Sequence, residues 1–174
     1  MVSTLGWWKR KLGGYLASMV KPKQLGHLVL RVRDLEGCEK FYTDVLGLRV
    51  TNKRPEEMVF MSAGDNLSHE LALTQISPHA TGPDKDRVGL SHFAWQMESF
   101  EDLKQLYQDM GKKGVKIGGI EDHGISIGIY FFDPEGNEIE AYYELPSENW
   151  PANGDLFDGK FPHSLEDEPK VSPA

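Results

Sequence analysis

The sequence has little cysteine and no long apolar run, and both absences narrow what the protein can be. Among the 174 residues, Cys38 is the only cysteine. Neither a disulfide framework nor a thiolate zinc site can therefore form, and a reducing compartment is expected. No apolar stretch approaches the roughly 20 residues of a membrane span. Lys9, Arg10 and Lys11 interrupt the apolar run that a signal peptide needs. We expect a cytoplasmic protein with no membrane partner.

The chain also has fewer basic than acidic residues. The chain has 19 lysines and arginines against 27 aspartates and glutamates, a formal net charge of −8 and a pI of about 5.2. An acidic chain repels phosphate backbones, so nucleic acid is not an expected partner. The hydrophobic fraction of 39% supports a real core. The length suits one ordinary domain with tails.

An internal repeat organises the chain. LGHLVLRVRDLEGCEKFYTDVLGLRV begins at Leu25, and LSHFAWQMESFEDLKQLYQDMGKKGVKI begins at Leu90. Each copy opens on a short apolar strand whose third residue is a histidine, His27 or His92, and each continues into a helix and a Gly-containing turn. The two histidines are 65 residues apart. Self-similarity at a fixed period indicates two copies of one supersecondary unit.

Each copy reads as β-α-β-β-β. Apolar residues recur every three to four positions after Asp34 and again after Ser99, and both residues are good helix N-caps. Further strands are predicted at 48–51, 58–62 and 70–75, and then at 115–118, 126–132 and 138–144. The sequence predicts an α+β fold of paired βαβββ modules, 25–75 and 90–146, within one domain, 25–146. A helical N-terminal extension, 1–24, precedes this domain, and an acidic Pro-rich tail, 147–174, follows it.

The stretch HGISIGIYFFDPEGNEIEAYYE, from His123, predicts a β-hairpin with a defined register. Pro134 presets φ for the first loop position, and Gly136 suits the positive φ that the third position requires. With Pro-Glu-Gly as the loop, Tyr130 lies opposite Glu140 on one face of the sheet.

The opening strands place both histidines on the less apolar face. Side chains alternate in a strand, so the apolar face of each opening strand should lie under the helix. The opposite, concave face carries His27 in the first copy and His92 in the second. Two such sheets facing each other would bring these imidazoles together with Glu140. Two imidazoles and one carboxylate form the facial triad of non-haem Fe(II) enzymes, which leaves three coordination positions open.

Four stretches carry a family resemblance: GHLVLRVRDLEGCEKFYTDVLGL, SHELAL, LSHFAW and HGISIGIYFFDPEGNEIE. Over roughly 25–146 they resemble the vicinal oxygen chelate superfamily, which includes glyoxalases, bleomycin resistance proteins and type I extradiol dioxygenases. The resemblance is greatest to extradiol dioxygenases of the catechol 2,3-dioxygenase kind. It implies a curved mixed sheet around a metal-binding cleft.

The resemblance also implies a role for individual residues. His27, His92 and Glu140 fall on the family's Fe(II) ligands, with Mn(II) as a possible substitute. His69 corresponds to a histidine that lies in the family's active-site pocket, near the side where dioxygen binds. His123 resembles the acid–base histidine at the substrate hydroxyls, and Tyr130 matches a tyrosine that hydrogen-bonds a substrate oxygen. The segment between His123 and Tyr130 is two residues shorter than in catechol 2,3-dioxygenase.

The activity implied is Fe(II)-dependent extradiol cleavage of a catechol-type diol with dioxygen, in a homodimer or larger homo-oligomer. The sequence leaves open which diol is cleaved. One alternative is a glyoxalase-type lyase or isomerase, which takes a fourth ligand for zinc or nickel from HELALTQI. Its candidates there are Glu70 and His69, and the rest of that strand is mainly apolar. A second alternative is a non-catalytic binding or resistance protein of the same fold.

Overall fold

The computed structural model describes residues 20–152, and also residues 156, 157, 159 and 164–166. The predicted N-terminal helix lies outside the described residues apart from 20–24, which form neither helix nor strand. In the tail, a short 3₁₀ helix spans Ser147–Asn149. No helix in the described part of the chain is long and apolar enough to cross a membrane.

Two βαβββ modules follow each other along the chain. The first contains β1 (Leu28–Val32), α1 (Leu35–Leu46), β2 (Arg49–Arg54), β3 (Met58–Ser62) and β4 (Leu71–Gln75). The second contains β5 (His92–Gln96), α2 (Phe100–Lys112), β6 (Ile117–Asp122), β7 (Ser126–Phe132) and β8 (Glu138–Glu144). Each forms a four-stranded mixed sheet, with strand orders β1-β4-β3-β2 and β5-β8-β7-β6. The predicted α+β fold of paired βαβββ modules is confirmed.

Both helices begin at the predicted caps. The Asp34 carboxylate accepts a hydrogen bond from the Gly37 amide, and the Ser99 hydroxyl accepts one from the Asp102 amide. These bonds satisfy amides that a helix N-terminus would otherwise leave without an acceptor. Helix α1 ends at Gly47, whose φ of 68° is left-handed and favours glycine.

Two strands run further than the sequence pattern predicts. Strand β2 begins at Arg49 and ends at Arg54 rather than at residue 51, and β6 spans Ile117–Asp122 rather than 115–118. In both, the register with the next strand shifts near the start, between Val50 and Asn52 and between Ile117 and Gly119. A β-bulge interrupts the alternation that marks a strand in a sequence, and pairing resumes beyond it.

One hydrophobic core joins the two modules. It contains Val32 and Leu73 from the first sheet and Ile129 and Ile139 from the second, all with no exposed surface. Full burial of a side chain of this size stabilises the fold by about 1.5–3 kcal/mol. The core occupies the helix-covered face of each sheet, which leaves the opposite face for polar residues.

The β7–β8 turn also binds the first module. One carboxylate oxygen of Glu135 accepts hydrogen bonds from the backbone amides of Arg33 and Asp34, at 2.8 and 2.9 Å, where α1 begins. The other oxygen lies 2.5 Å from Nε of Arg33. We call these contacts the Glu135 clamp. Nearby, the buried Tyr42 hydroxyl donates to Asp133 at 2.9 Å.

The turn itself has the predicted geometry. Gly136 has φ 88°, and the Asp133 amide donates to the Asn137 carbonyl oxygen at 3.1 Å. Tyr130 pairs with Glu140, as predicted. The same five-residue turn therefore sets the hairpin register and ties the two modules together.

Candidate functional site

Four site residues meet on the open face of the second sheet. Glu140, only 7% exposed, lies beside two imidazoles. Its Oε2 is 3.4 Å from Nε2 of His92, and its Oε1 is 3.7 Å from Nε2 of His123. The same His123 nitrogen is hydrogen-bonded to the Tyr130 hydroxyl at 3.0 Å. We call these four residues the Glu140 group.

Strand register explains why these residues meet. Tyr130 faces Glu140 across the antiparallel β7–β8 pair, and β5 runs parallel to β8 on its other side. His92 lies at the start of β5, two residues before Ala94, the direct partner of Glu140. Residues two apart in a strand share a face. His92, Glu140 and Tyr130 must therefore project from the same side.

Burial sets the electrostatics of this group. Desolvation raises the pKa of Glu140 above its ordinary value, although the nearby His123 and His92 act in the opposite direction. Desolvation also raises the pKa of the Tyr130 phenol, and the negative charge of Glu140 adds to that effect. The phenol therefore stays protonated at neutral pH. A buried carboxylate beside imidazoles is a site where added positive charge would be favoured.

The other two site residues belong to the first module. His27 comes immediately before β1, and its ring centroid lies 4.5 Å from that of His69. The His69 ring packs edge-on against Phe60 at 5.2 Å. We call His27, His69 and Phe60 the His27 group.

The structure brings two of the three predicted metal ligands together and leaves the third in the other group. No hydrogen bond, ion pair or ring contact joins His27 to His92, both of which lie in the described part of the chain. Nor do any three His, Cys, Asp or Glu side chains among the described residues form an arrangement ready to hold a metal ion. Strands β1 and β5 are edge strands of separate sheets, so no ladder fixes the distance between their histidines.

A cleft separates these two edge strands. Its volume is about 950 Å³. Val29 and Arg31 of β1 line one side, Ser91 and Phe93 beside His92 line another, and Glu138 also contributes. Small-molecule sites commonly have volumes of roughly 300–1,000 Å³. His92 and Glu140 are not among the residues that line this cleft.

The two modules differ at the carboxylate position. In the second module, Glu140 pairs with Ala94. In the first module, the residue 65 positions before Ala94 is Val29, and it pairs with Ala72. Ala72 is therefore the counterpart of Glu140, and it offers no ligand atom. The other acidic candidate, Glu70, precedes β4, and its Oε1 lies 3.9 Å from the place that a Cβ on Gly64 would occupy. The first module thus supplies no carboxylate equivalent to Glu140.

Sequence reasoning missed one member of the site. Gly128, on the same face of β7 as Tyr130, lies directly under the Glu140 carboxylate. The available signal was a glycine inside an otherwise apolar strand, which often marks a close approach of another group.

Relatives of two enzyme kinds resemble the chain. Catechol-2,3-dioxygenase of Bacillus subtilis is 29% identical over 136 residues, which are 78% of this chain and 46% of the relative. Biphenyl-2,3-diol 1,2-dioxygenase 3 of Rhodococcus globerulus is 32% identical over 125 residues, 70% of this chain and 64% of the relative. A probable lactoylglutathione lyase of Synechocystis is 29% identical over 119 residues, 66% of this chain and 90% of the relative. The chain thus spans about half to two thirds of the two dioxygenases.

The fold has solved counterparts. A glyoxalase/dioxygenase structure from Nostoc punctiforme superposes with a TM-score of 0.61 at 20% identity, covering 76% of this chain and all of that one. The family model of the Glyoxalase/Bleomycin resistance protein/Dioxygenase superfamily matches residues 24–141, well over half of the chain. The chain belongs to this superfamily.

Proposed function

We propose that the chain is a metal-dependent extradiol dioxygenase that cleaves a catechol-type diol with dioxygen. The observation that carries the proposal is the Glu140 group: a buried carboxylate beside His92, with a hydrogen-bonded His123–Tyr130 pair next to it. Carboxylate and imidazole are donors that suit Fe(II), and also Mn(II). A histidine and a phenol within reach of the same carboxylate suit proton transfer to and from a bound diol.

The residues present fit a divalent ion in part. His92 and Glu140 have their donor atoms on the same side of the sheet, and the missing side chain at Gly128 leaves room for the carboxylate. Positive charge there would offset the desolvation that raises the pKa of Glu140. His27 is the third proposed ligand, and the proposal requires it to approach His92 and Glu140 when the ion binds.

The protein's own residues would hold and move protons. A bound divalent ion would lower the pKa of a diol hydroxyl and hold the diol next to dioxygen. Nε2 of His123 would accept the proton that the diol loses. The Tyr130 hydroxyl, 3.0 Å from that nitrogen, stays protonated and can donate a hydrogen bond to a substrate oxygen. His69, packed against His27, is the candidate for the dioxygen side.

A glyoxalase-type lyase is the second candidate, because the chain spans 90% of the probable lactoylglutathione lyase that it resembles. That chemistry implies a four-ligand site, with the extra ligand from the fourth strand of the first module, for which Glu70 and His69 are the candidates. Ala72 stands where the first module would supply its carboxylate, and Glu70 lies against Gly64. This difference favours three protein ligands, and with them the dioxygenase.

The test is anaerobic loading with Fe(II) or Mn(II), followed by addition of dioxygen and a panel of catechols. Oxygen uptake and a yellow ring-opened product should appear together. His92→Ala and Glu140→Gln should abolish both, and His27→Ala should weaken metal binding. The control, His79→Ala, changes an exposed linker histidine and should leave both nearly intact.

Other results would select the rivals. Turnover of a glutathione hemithioacetal with zinc or nickel, without oxygen uptake, would refute the dioxygenase and support the lyase. A protein that binds a flat ligand but takes up no metal would support the binding-protein alternative. Sedimentation of the same samples tests the expected homo-oligomer.

A further inference from the structure

Gly128 lies beneath the carboxylate of Glu140. A Cβ at this position would overlap Oε1 of Glu140 and stand 3.0 Å from both its Cγ and its Cδ. Real Cβ atoms do not approach other atoms so closely without displacing them. Gly128 is diagonal to Glu140 across the β7–β8 ladder, and long side chains reach such diagonal neighbours on one face of a sheet.

The backbone itself does not require a glycine here. Gly128 lies inside β7, and its φ is outside the left-handed region that favours glycine. Glycine in a strand interior weakens the strand, because it adds backbone entropy to the unfolded chain and packs no side chain. The close approach of the carboxylate is the structural reason that remains.

The first module offers an internal comparison. Gly128 is two residues before the β7 residue that pairs with Glu140. The corresponding residue in β3, two before the partner of Ala72, is Met58. Where the module has a carboxylate, the diagonal position has no side chain. Where the carboxylate is replaced by a methyl group, the diagonal position carries a long one.

We propose that Gly128 is a positioning residue that reserves the space in which the Glu140 carboxylate lies beside His92. The inference rests on the proposed function, because it assigns the carboxylate to metal binding. A methyl group at residue 128 would push the carboxylate away from β7 and from Nε2 of His92. The protein would keep its fold and lose the alignment of two ligands.

The experiment compares Gly128→Ala with Gly119→Ala. Gly119 faces Tyr130 from β6, and a Cβ there would meet nothing within 4 Å, so this variant adds the same methyl group without the clash. The affinities for Fe(II) and Mn(II) are measured by anaerobic calorimetry, and thermal unfolding is measured on the metal-free proteins. Gly128→Ala should weaken metal binding by about 10–100-fold, the usual effect of losing a group that orients a ligand.

The metal-free protein separates positioning from folding. Gly128→Ala should leave its unfolding temperature unchanged or raised, since alanine suits a strand better than glycine. Gly119→Ala should leave metal affinity within twofold of wild type. Equal affinity in Gly128→Ala and wild type would overturn the inference, as would a weakened affinity accompanied by a matching loss of metal-free stability.

A second variant tests whether Gly128→Ala lowers metal affinity by displacing the Glu140 carboxylate. Glu140→Asp withdraws the carboxylate by one methylene, so it should cost less affinity in the Gly128→Ala background than in wild type. Strict additivity of the two changes would contradict a shared space. A wild-type protein that takes up neither ion would refute the proposed function itself, and this inference with it.

Discussion

The Glu135 clamp makes a quantitative prediction about what holds the two modules together. In Glu135→Ala, the amides of Arg33 and Asp34 lose their common acceptor, and the Arg33 guanidinium loses its ion-pair partner. The Glu135 side chain is only 9% exposed, whereas that of Arg33 is 32% exposed. The clamp is therefore more than a surface ion pair, although solvent still reaches one partner.

The magnitude follows from these contacts. A hydrogen bond to a charged group contributes about 1.5–3 kcal/mol, and breaking a fully buried pair costs about 3–5 kcal/mol. Because Arg33 is partly exposed and keeps its bond to the Ala80 carbonyl, we expect a loss of about 2–4 kcal/mol in the free energy of unfolding. For a domain of this size, each kcal/mol lowers the melting temperature by roughly 3–5 °C.

The assay is urea unfolding followed by circular dichroism, with Glu98→Ala as the control. Glu98 is an exposed carboxylate of the second module just before α2, so its removal changes net charge equally. Glu135→Gln should fall between wild type and Glu135→Ala, because its amide oxygen can still accept one backbone hydrogen bond. A Glu135→Ala protein within about 0.5 kcal/mol of Glu98→Ala would refute the clamp as a stabilising contact.

Three further predictions concern stability. Tyr42→Phe should cost about 1–2 kcal/mol in urea unfolding, because Asp133 keeps its bonds to the Glu135 and Asn137 amides; no measurable loss would contradict the buried hydrogen bond. Burial raises the pKa of the Cys38 thiol from 9.0 to about 12, so the folded state retains a proton that the unfolded chain releases. The free energy of unfolding should therefore fall between pH 9 and about 12, by up to about 1.4 kcal/mol per pH unit. Cys38→Ala should remove this part of the slope and leave the part above pH 10 that comes from buried tyrosines such as Tyr42 and Tyr130, whose pKa values are also raised by burial. Gly47→Ala should cost about 1 kcal/mol in the same assay, because alanine is strained at the left-handed end of α1, whereas Gly89→Ala, in open space, should cost little.

Local sequence patterns predict most of the fold. Asp34 and Ser99 are recognisable as caps in the sequence, because their side chains accept hydrogen bonds from amides only three residues ahead. The turn residues Pro134 and Gly136 fixed the hairpin register, and with it the pairing of Tyr130 with Glu140. Contacts of this kind depend on neighbours in sequence or on period-two alternation, so one chain is enough to infer them.

Contacts between residues far apart in the chain could not be predicted from local sequence patterns. Glu135 meets Arg33 across 102 residues, and nothing in the pattern around either residue marks the pairing. The position of His27 relative to His92 depends on how two sheet edges meet, which the packing of the shared core determines. The role of Gly128 depends on the side-chain conformation of Glu140, which alternation alone cannot specify.

The repeat explains why the site is concentrated in one module. Both modules keep apolar residues under their helices, because each must bury one face of its sheet against the shared core. The open faces carry no such requirement. There the second module has a carboxylate, a phenol and a glycine at positions where the first has Ala72, Phe60 and Met58. In the proposed site, one module holds the carboxylate and the phenol while the other contributes His27 and His69, an unequal division that the open faces of the sheets permit.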